Sequence, residues 1–366
     1  MHASLTPLTE QIRAAAAAAA PLRIRGGGSK DFYGQALTGA LLDTSALRGI
    51  TSYEPSELVV TVLAGTALAE LEQLLAGQSQ YLPFEPPHFG ATATVGGMVA
   101  SGLSGPARAA SGAMRDYVLG VQMLSGQGQL LRFGGQVMKN VAGYDVSRLM
   151  AGSMGTLGLI TEVSLKVLPR PVAEATILME TDQAEALRRL NGWAARPLPL
   201  NASAWQRVDG RGLLQVRLRG AEAAVRAACK AMGGERVDDV QAQAFWQSLR
   251  EHSAGFFERA NDTCLWRLSV PDTTDVLSLA GDDTLLEWGG AVRWVHAPAA
   301  QAPQLRAVVQ RVGGNATLFR RAADGTPADV PVFQPLAPAL LRIHRALKQQ
   351  FDPAGIFGPG RMFATL

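Results

Sequence analysis

Near its amino terminus the chain reads Leu22-Arg23-Ile24-Arg25-Gly26-Gly27-Gly28-Ser29-Lys30-Asp31-Phe32-Tyr33-Gly34, and this stretch decides the fold. Residues 21–25 predict a short strand that runs directly into three glycines. Successive glycines at a strand end let several backbone N–H groups point at one anion, with no Cβ in the way. The stretch therefore predicts either a phosphate or pyrophosphate site or a flexible hairpin.

Two better-known glycine motifs do not match this stretch. A Walker A loop needs four residues between its first glycine and the Gly-Lys pair, which this segment lacks. A Rossmann fingerprint needs a helix directly behind the glycines and an acidic residue about 20 positions further on. Residues 31–34 indicate a turn instead, so nicotinamide dinucleotide binding is not favoured.

A second segment, residues 93–106, alternates glycine with small hydroxyl residues. Hydroxyls and amides supply donors, and small residues let a flat ring lie against the backbone. The same spacing suits a closely packed small-residue helix, and both interpretations stay open. Under the first one, the predicted ligand-binding residues of the segment are Thr94, Val95, Gly96, Gly97, Ser101, Gly102 and Ser104.

A third region combines a Lys-Asn pair with glycines and precedes a strand at residues 159–167. Lysine and amide donors beside a glycine suit the polar edge of a ligand, and glycines before a strand leave amides available. The candidates are Lys139, Asn140, Gly143, Tyr144, Gly155, Gly158 and Ile160. Between the segments, Arg108 and Asp116 are further candidates, although ordinary surface ion pairs would explain them equally well.

Composition excludes several classes of protein. With 366 residues, 47% hydrophobic and 18% charged, the chain is globular and long enough for two domains. The net charge of +3 is scattered, whereas nucleic-acid binding needs a concentrated basic stripe. Two distant cysteines, Cys229 and Cys264, are too few for an iron–sulfur cluster and favour a reducing, cytoplasmic compartment.

Nothing in the sequence indicates a membrane span or a signal peptide. The alanine run at residues 14–20 is short and weakly apolar and is followed by Pro21, so it predicts a helix before the first strand. No stretch of 18 or more apolar residues is present. We expect no integral membrane segment.

The first part of the chain is glycine-rich, and the pattern changes after Pro169-Arg170-Pro171. Residues 85–160 hold 15 of the 39 glycines. Beyond the prolines, strands and helices at 173–240 follow the order βαββαβ of a ferredoxin-like unit. A second such unit is predicted from strand 264–270, helix 272–280, a hairpin through residues 289–290, helix 301–312 and strand 315–320. A last helix is expected at about residues 339–350.

Together, the order and spacing of these segments resemble the FAD-binding domain of the vanillyl-alcohol oxidase/p-cresol methylhydroxylase (PCMH) family. The resemblance implies an α+β fold, with a two-subdomain PCMH-type FAD-binding domain at 1–171. A smaller α+β, ferredoxin-like cap domain follows at 172–335, and a C-terminal helix and tail at 336–366 return to the FAD domain.

The resemblance also implies roles for the glycine-rich segments. Arg25, Gly26, Gly27, Gly28, Ser29 and Lys30 would hold the pyrophosphate of FAD. The segment from Thr94 to Ser104 would lie along the isoalloxazine ring and ribityl chain, and residues 155–161 on the adenine side. Some family members attach FAD covalently through a histidine after the first glycines. This chain has Ser29 there, so non-covalent FAD is expected.

Within the family, residues 22–34, residues 135–145 and the terminal Gly358-Pro359-Gly360-Arg361-Met362 look like the smaller FAD-binding subunits of bacterial glycolate oxidases. The tail departs from the family's Asn-Pro-Gly signature by Gly358 in place of Asn. The implied partners are a larger FAD-bearing glycolate oxidase subunit, an iron–sulfur subunit and a small 2-hydroxy acid. The implied location is cytoplasmic, or peripheral at the inner membrane through the complex.

A catalytic residue cannot be assigned from the sequence. Oxidation of a 2-hydroxy acid needs a base for the hydroxyl proton and a cation for the carboxylate. His88, in a loop, and the strand residues Arg293, Trp294 and His296 are candidates, but a structural role explains each of them too. Because no metal-type histidine cluster is present, no metal site is predicted.

Two hypotheses for the function follow: a flavin dehydrogenase for glycolate or a similar acid, or a non-catalytic or electron-relay subunit. A third reading, NADPH-dependent reduction, lacks supporting features.

Overall fold

The computed structural model describes residues 5–135, 145–258, 263–279, 283–323 and 330–366. The helices within them are α1 (Leu5–Ala17), α2 (Leu68–Ala76), α3 (Val95–Ser101), α4 (Arg108–Ser111), α5 (Val146–Leu149), α6 (Gln183–Ala194), α7 (Glu222–Met232), α8 (Asp239–Glu251), α9 (Ala302–Arg311) and α10 (Pro338–Phe351).

The strands of the same ranges are β1 (Leu22–Arg25), β2 (Ala40–Asp43), β3 (Ile50–Glu54), β4 (Val59–Leu63), β5 (Gln80–Tyr81), β6 (Val118–Leu124), β7 (Leu130–Gly134), β8 (Leu159–Lys166), β9 (Leu168–Pro169), β10 (Ala173–Glu180), β11 (Leu200–Val208), β12 (Arg211–Gly220), β13 (Glu235–Arg236), β14 (Cys264–Ser269), β15 (Thr284–Glu287), β16 (Val292–Ala297) and β17 (Asn315–Arg320). Helix and sheet are mixed throughout, as the sequence predicts.

The chain divides into two compact units. The first comprises Met1–Leu103, Ala113–Pro169 and Pro335–Leu366. The second comprises Ser104–Gly112 and Arg170–Gln334. The sequence does not predict that the short segment Ser104–Gly112 belongs with the second unit.

The first unit is built on a five-stranded sheet of order β3-β4-β8-β6-β7, in which every neighbouring pair is antiparallel. Helices α2 and α3 bury apolar side chains against it, and Leu68, Leu71 and Leu75 of α2 are fully buried. The three leucines recur at helical spacing, which is why this segment forms an amphipathic helix.

A small parallel sheet positions the glycine-rich loop. Strand β1 pairs in parallel with β2, residue for residue from Leu22 opposite Ala40. On the other side of β1, the Leu22 amide donates to the carbonyl oxygen of Ile356 at 2.7 Å, and the Gly358 amide donates to that of Leu22 at 3.0 Å. The C-terminal tail therefore extends the sheet from which the loop emerges.

The second unit contains an eight-stranded sheet of order β13-β10-β12-β11-β15-β16-β14-β17. Its halves meet where β11 pairs with β15 in antiparallel fashion. Helices α6 and α7 cover the first half with Leu187, Leu190 and Val225, and α9 covers the second with Leu305 and Val309.

Two element predictions in the second unit are wrong. The predicted strand at 235–240 ends at Arg236, because the Asp238 carboxylate accepts the amides of Val240 and Gln241 and starts α8. The predicted helix at 272–280 is absent over 272–279, where the backbone is irregular. Here the buried Arg293 guanidinium takes the carbonyl groups of Thr274 and Asp275, which a helix would use internally.

Candidate functional site

The glycine loop after β1 approaches another backbone too closely for side chains. A Cβ on Gly27 would overlap the carbonyl oxygen of Thr92, and one on Gly26 would lie 2.6 Å from Oγ1 of Thr94. Gly28 has φ +74°, a left-handed conformation, and a Cβ there would overlap the guanidinium of Arg25. Glycine is therefore required in this loop, because a side chain at any of the three positions would overlap its neighbours.

This loop borders an open cleft within the first unit. Nine of the predicted cofactor-binding residues line it together: Arg25, Gly26, Gly27, Gly28, Ser29, Lys30, Thr94, Gly97 and Ser101. The first and second glycine-rich segments, about 70 residues apart in sequence, thus face one space. The cleft also has lining residues that the sequence analysis missed: Ile24, Asp31, Tyr33, Leu37, Ala100, Met154 and Arg361.

Helix α3 supplies one wall of the cleft. Thr94 is its N-cap residue, and the Thr94 hydroxyl accepts the amide of Gly97 at 3.2 Å. Thr94, Gly97 and Ser101 recur every three or four residues and so share the face toward the cleft. The segment therefore forms the small-residue helix that the sequence allowed, and one face of this helix lines the cleft.

The cations at the cleft have defined partners. Nε of Arg25 donates to the Asp31 carboxylate at 2.6 Å, with both side chains partly exposed. Nζ of Lys30 donates to the carbonyl oxygen of His88 at 3.1 Å. Nε2 of His88 lies 3.0 Å from the carboxylate of Glu72. The ring of the candidate base His88 therefore contacts a carboxylate, and its backbone carbonyl contacts Lys30 of the glycine loop.

Arg361, in the C-terminal tail, closes one end of the cleft. Its side chain is almost fully buried and donates to the carbonyl oxygens of Asp31, Tyr33 and Gln35. Burial lowers the pKa of the Arg361 guanidinium to about 10, against the opposing effect of Asp31, so it stays charged at neutral pH. The Gly-Pro-Gly-Arg stretch at the tail was the signal that could have identified it.

Several predicted site residues belong to the first unit but do not line the cleft. Val95 and Ile160 are buried in the core, and Gly96 donates its amide to Ala64 at 2.7 Å. Gly102 ends α3 in a left-handed conformation. A Cβ on Gly155 would lie 3.5 Å from Ile24, which itself lines the cleft, and Gly158 lies against β6.

Three predicted residues lie elsewhere, and four cannot be placed. Ser104 and Arg108 belong to the second unit, where the Arg108 guanidinium stacks 4.6 Å from the Trp288 ring centroid. Asp116 accepts the amide of Ala113 at 2.9 Å and so caps a short helical turn. The predicted residues outside the described ranges are Lys139, Asn140, Gly143 and Tyr144.

The candidate catalytic residues of β16 have structural partners within the second unit. Arg293 is fully buried, its guanidinium donates to backbone carbonyls, and burial lowers its pKa to about 10. Nε1 of Trp294 donates to the Glu287 carboxylate at 2.6 Å. Nε2 of His296 lies 2.8 Å from the carbonyl oxygen of Phe256. Across the described ranges, no group of three or more His, Cys, Asp or Glu side chains could hold a metal ion.

Comparisons with known proteins relate the chain to flavoproteins and to glycolate oxidase subunits. A family model described as an FAD binding domain matches residues 4–134. Glycolate oxidase subunit GlcE of Escherichia coli is 46% identical over 359 residues, which cover 98% of this chain and 97% of that protein. Glycolate oxidase subunit GlcD of Bacillus subtilis is 30% identical over 168 residues, 45% of this chain and 36% of that protein.

A solved structure shares the fold. Alkyldihydroxyacetonephosphate synthase matches with a TM-score of 0.67 at 14% identity, over 96% of this chain and 75% of that one. The likeness at such low identity concerns the fold alone. Among the helices that the structure describes, none combines the length and apolar character needed to cross a bilayer.

Proposed function

The chain belongs to the family of the glycolate oxidase subunit GlcE, and on this premise we propose that it is the FAD-binding subunit of a glycolate oxidase complex. The complex would oxidise the 2-hydroxy acid glycolate to glyoxylate and pass the electrons to partner subunits. The observation that carries the proposal is the glycine loop, because it faces an open cleft lined mostly by residues of the region that the FAD binding domain matches.

The residues of the cleft fit a dinucleotide cofactor. At Gly26, Gly27 and Gly28 the loop has no room for side chains, so its backbone can approach a diphosphate. Arg25 supplies a positive charge beside it. Thr94, Gly97 and Ser101 would border the ring and ribityl portion. When bound, FAD supplies the redox chemistry that the side chains lack.

We propose that the attachment is non-covalent, because Ser29 stands where some members of the wider family carry the linking histidine. A hydroxyl at this position cannot form that histidyl bond. The cofactor should therefore leave the protein on denaturation.

We further propose domain roles. The FAD domain would span 1–171, a cap 172–335, and the tail 336–366 would return to the FAD domain. If the strands of each half are numbered in chain order, β13-β10-β12-β11 lie in the order 4-1-3-2. The half β15-β16-β14-β17 has the same order when it is read from its other end. This order is that of a ferredoxin-like unit, so it supports a cap of two such units. The cap would bind substrate or a partner subunit.

An electron-relay or support role is the second candidate function, and the histidines favour it. Neither His88 nor His296 is among the residues that line the cleft, so neither is placed there as a base. The proposed partners are a larger FAD-bearing subunit and an iron–sulfur subunit, because Cys229 and Cys264 are too few to hold a cluster in this chain. The proposed location is cytoplasmic, or peripheral at the inner membrane through that complex.

Anaerobic addition of glycolate tests these roles. If the chain relays electrons, its bound flavin bleaches only after the partner subunits are added. Bleaching of the flavin in the isolated chain would contradict the relay role and assign the oxidation to this subunit. Affinity purification of the tagged full-length chain should also bring down a cysteine-rich subunit. Purification without any partner would contradict the complex.

A further inference from the structure

The buried guanidinium of Arg361 organises a turn that is more than 300 residues away in sequence. It donates to the carbonyl oxygens of Asp31, Tyr33 and Gln35, at 3.1 Å for Asp31. The amide of Gln35 donates in return to the carbonyl oxygen of Arg361 at 3.0 Å. One planar fork with several donors therefore fixes the backbone from residue 31 to residue 35.

The same turn sets the position of a second arginine. The Asp31 carboxylate accepts Nε of Arg25 at 2.6 Å, and Asp31 is the residue whose carbonyl Arg361 holds. With Nε engaged, the Arg25 guanidinium lies over Gly28, where its Nη2, Cζ and Nε would overlap an added Cβ. The charge of Arg25 is thus brought to the bare backbone of the glycine loop, at the surface of the cleft.

We propose that Arg361 and Asp31 are positioning residues for Arg25, and that Arg25 is the cation that neutralises the diphosphate of the bound dinucleotide. This inference rests on the proposed function. It adds a relay of hydrogen bonds, not of electrons, that runs from the C-terminal tail to the glycine loop. The tail of the chain would then control how tightly the cofactor is held.

Pre-organisation is the physical reason for such a relay. An exposed arginine samples many rotamers, and ordering its side chain on binding reduces the affinity. In this structure the carboxylate of Asp31 already orders Arg25, and the buried side chain of Arg361 orders the backbone of Asp31. The other cation of the loop, Lys30, is directed toward the carbonyl oxygen of His88.

A double-mutant cycle on the full-length chain tests the relay, with FAD affinity measured by flavin fluorescence after the cofactor has been removed. We expect Arg25→Ala to weaken FAD binding at least tenfold and Arg361→Lys, which retains the charge but loses the fork, at least fivefold. If Arg361 acts through Arg25, the double variant binds within about twofold of Arg25→Ala alone. Arg345→Ala, an exposed arginine of the C-terminal helix, is the control and should leave the affinity unchanged.

Losses that multiply in the double variant would overturn the inference, because Arg361 would then act independently of Arg25. The cycle of Asp31→Ala with Arg25→Ala gives a second test that avoids altering the buried side chain. Asp31→Ala should weaken binding in the presence of Arg25 and should not weaken it in the Arg25→Ala background. Equal losses in both backgrounds would contradict the relay. If the unaltered chain does not bind FAD, the proposed function itself fails, which distinguishes the two outcomes.

Discussion

The hydroxyl of Thr92 donates a hydrogen bond of 2.6 Å to the carbonyl oxygen of Gly27, and the carbonyl oxygen of Thr92 occupies the place that a Cβ on Gly27 would need. Two backbone segments therefore meet where the cleft begins. The contact is possible only with glycine at position 27, and it links the glycine loop to the segment that leads into α3. The geometry of the cleft depends on this pair.

Gly27→Ala should push the two segments apart. Overpacking of this kind costs about 1–3 kcal/mol. Part of that cost appears as lost FAD affinity, about tenfold for each 1.4 kcal/mol. The variant should be purified with a reduced ratio of flavin to protein absorbance. Gly192→Ala is the matched control, because Gly192 lies in α6 with open space around it, and alanine there should be neutral or stabilising. A fully yellow Gly27→Ala protein would contradict the packing argument.

The ion pair between Lys348 and Asp352 should be important for stability. Nζ of Lys348 lies 2.7 Å from the Asp352 carboxylate and also donates to the carbonyl oxygens of Thr156 and Phe357. The Asp352 side chain is fully buried. Burial lowers the pKa of Lys348, with Asp352 opposing that effect.

Asp352→Ala would leave Lys348 buried without its counter-ion, and we expect a loss of about 3–5 kcal/mol in the free energy of unfolding. Thermal unfolding followed by circular dichroism measures this loss. Glu222→Ala removes an exposed partner with the same i,i+4 spacing and should change stability by less than about 0.5 kcal/mol. Similar melting temperatures for the two variants would show that the Lys348 pair contributes no more than a surface pair.

His252 should make the protein sensitive to mild acid. Its ring stacks on Phe257 with centroids 4.1 Å apart, and burial, then Arg320 and Arg267, lower its pKa well below 6.5. The unfolded chain therefore binds a proton below about pH 6.5 that the folded chain does not. Stability must fall as the pH decreases below that value, by at most about 1.4 kcal/mol per pH unit.

Replacing the imidazole tests this linkage. His252→Asn should reduce the decrease in unfolding free energy between pH 7.5 and 5.5, because asparagine accepts the left-handed conformation at position 252 without titrating. Leu214→Ala opens a cavity in the same unit and should lower stability equally at both pH values. An unchanged pH slope in His252→Asn would contradict a neutral buried histidine.

A site residue could be predicted from the sequence when the feature that identifies it lies in adjacent residues. The glycine loop and the Thr94 segment were recognisable because missing side chains and an N-cap are properties of adjacent residues. The sequence did not show that Ser104 and Arg108 belong to the second unit, since Arg108 stacks on Trp288, far along the chain. Arg361 was missed because its partners are backbone carbonyl oxygens more than 300 residues away in sequence, so the Gly-Pro-Gly-Arg stretch marked the residue without showing what it contacts.

The secondary-structure elements divide in the same way between local and long-range causes, with helix α8 as the exception. The helical spacing of Leu68, Leu71 and Leu75, which gives α2 its buried face, is a local pattern that can be read from the sequence. Helix α8 was missed although Asp238 caps it and Ala242, Trp246 and Leu249 give it a buried face, so its signal was available. The irregular backbone at 272–279 was not predictable locally, because Arg293 imposes it from β16.

The most direct test of the account is the flavin content of the purified full-length chain before and after acid precipitation. The account predicts a yellow protein with one FAD per chain, all of it recovered in the supernatant once the protein precipitates. A colourless chain that takes up no added FAD would contradict cofactor binding in the cleft. Flavin that stays in the precipitate would contradict the non-covalent attachment inferred from Ser29.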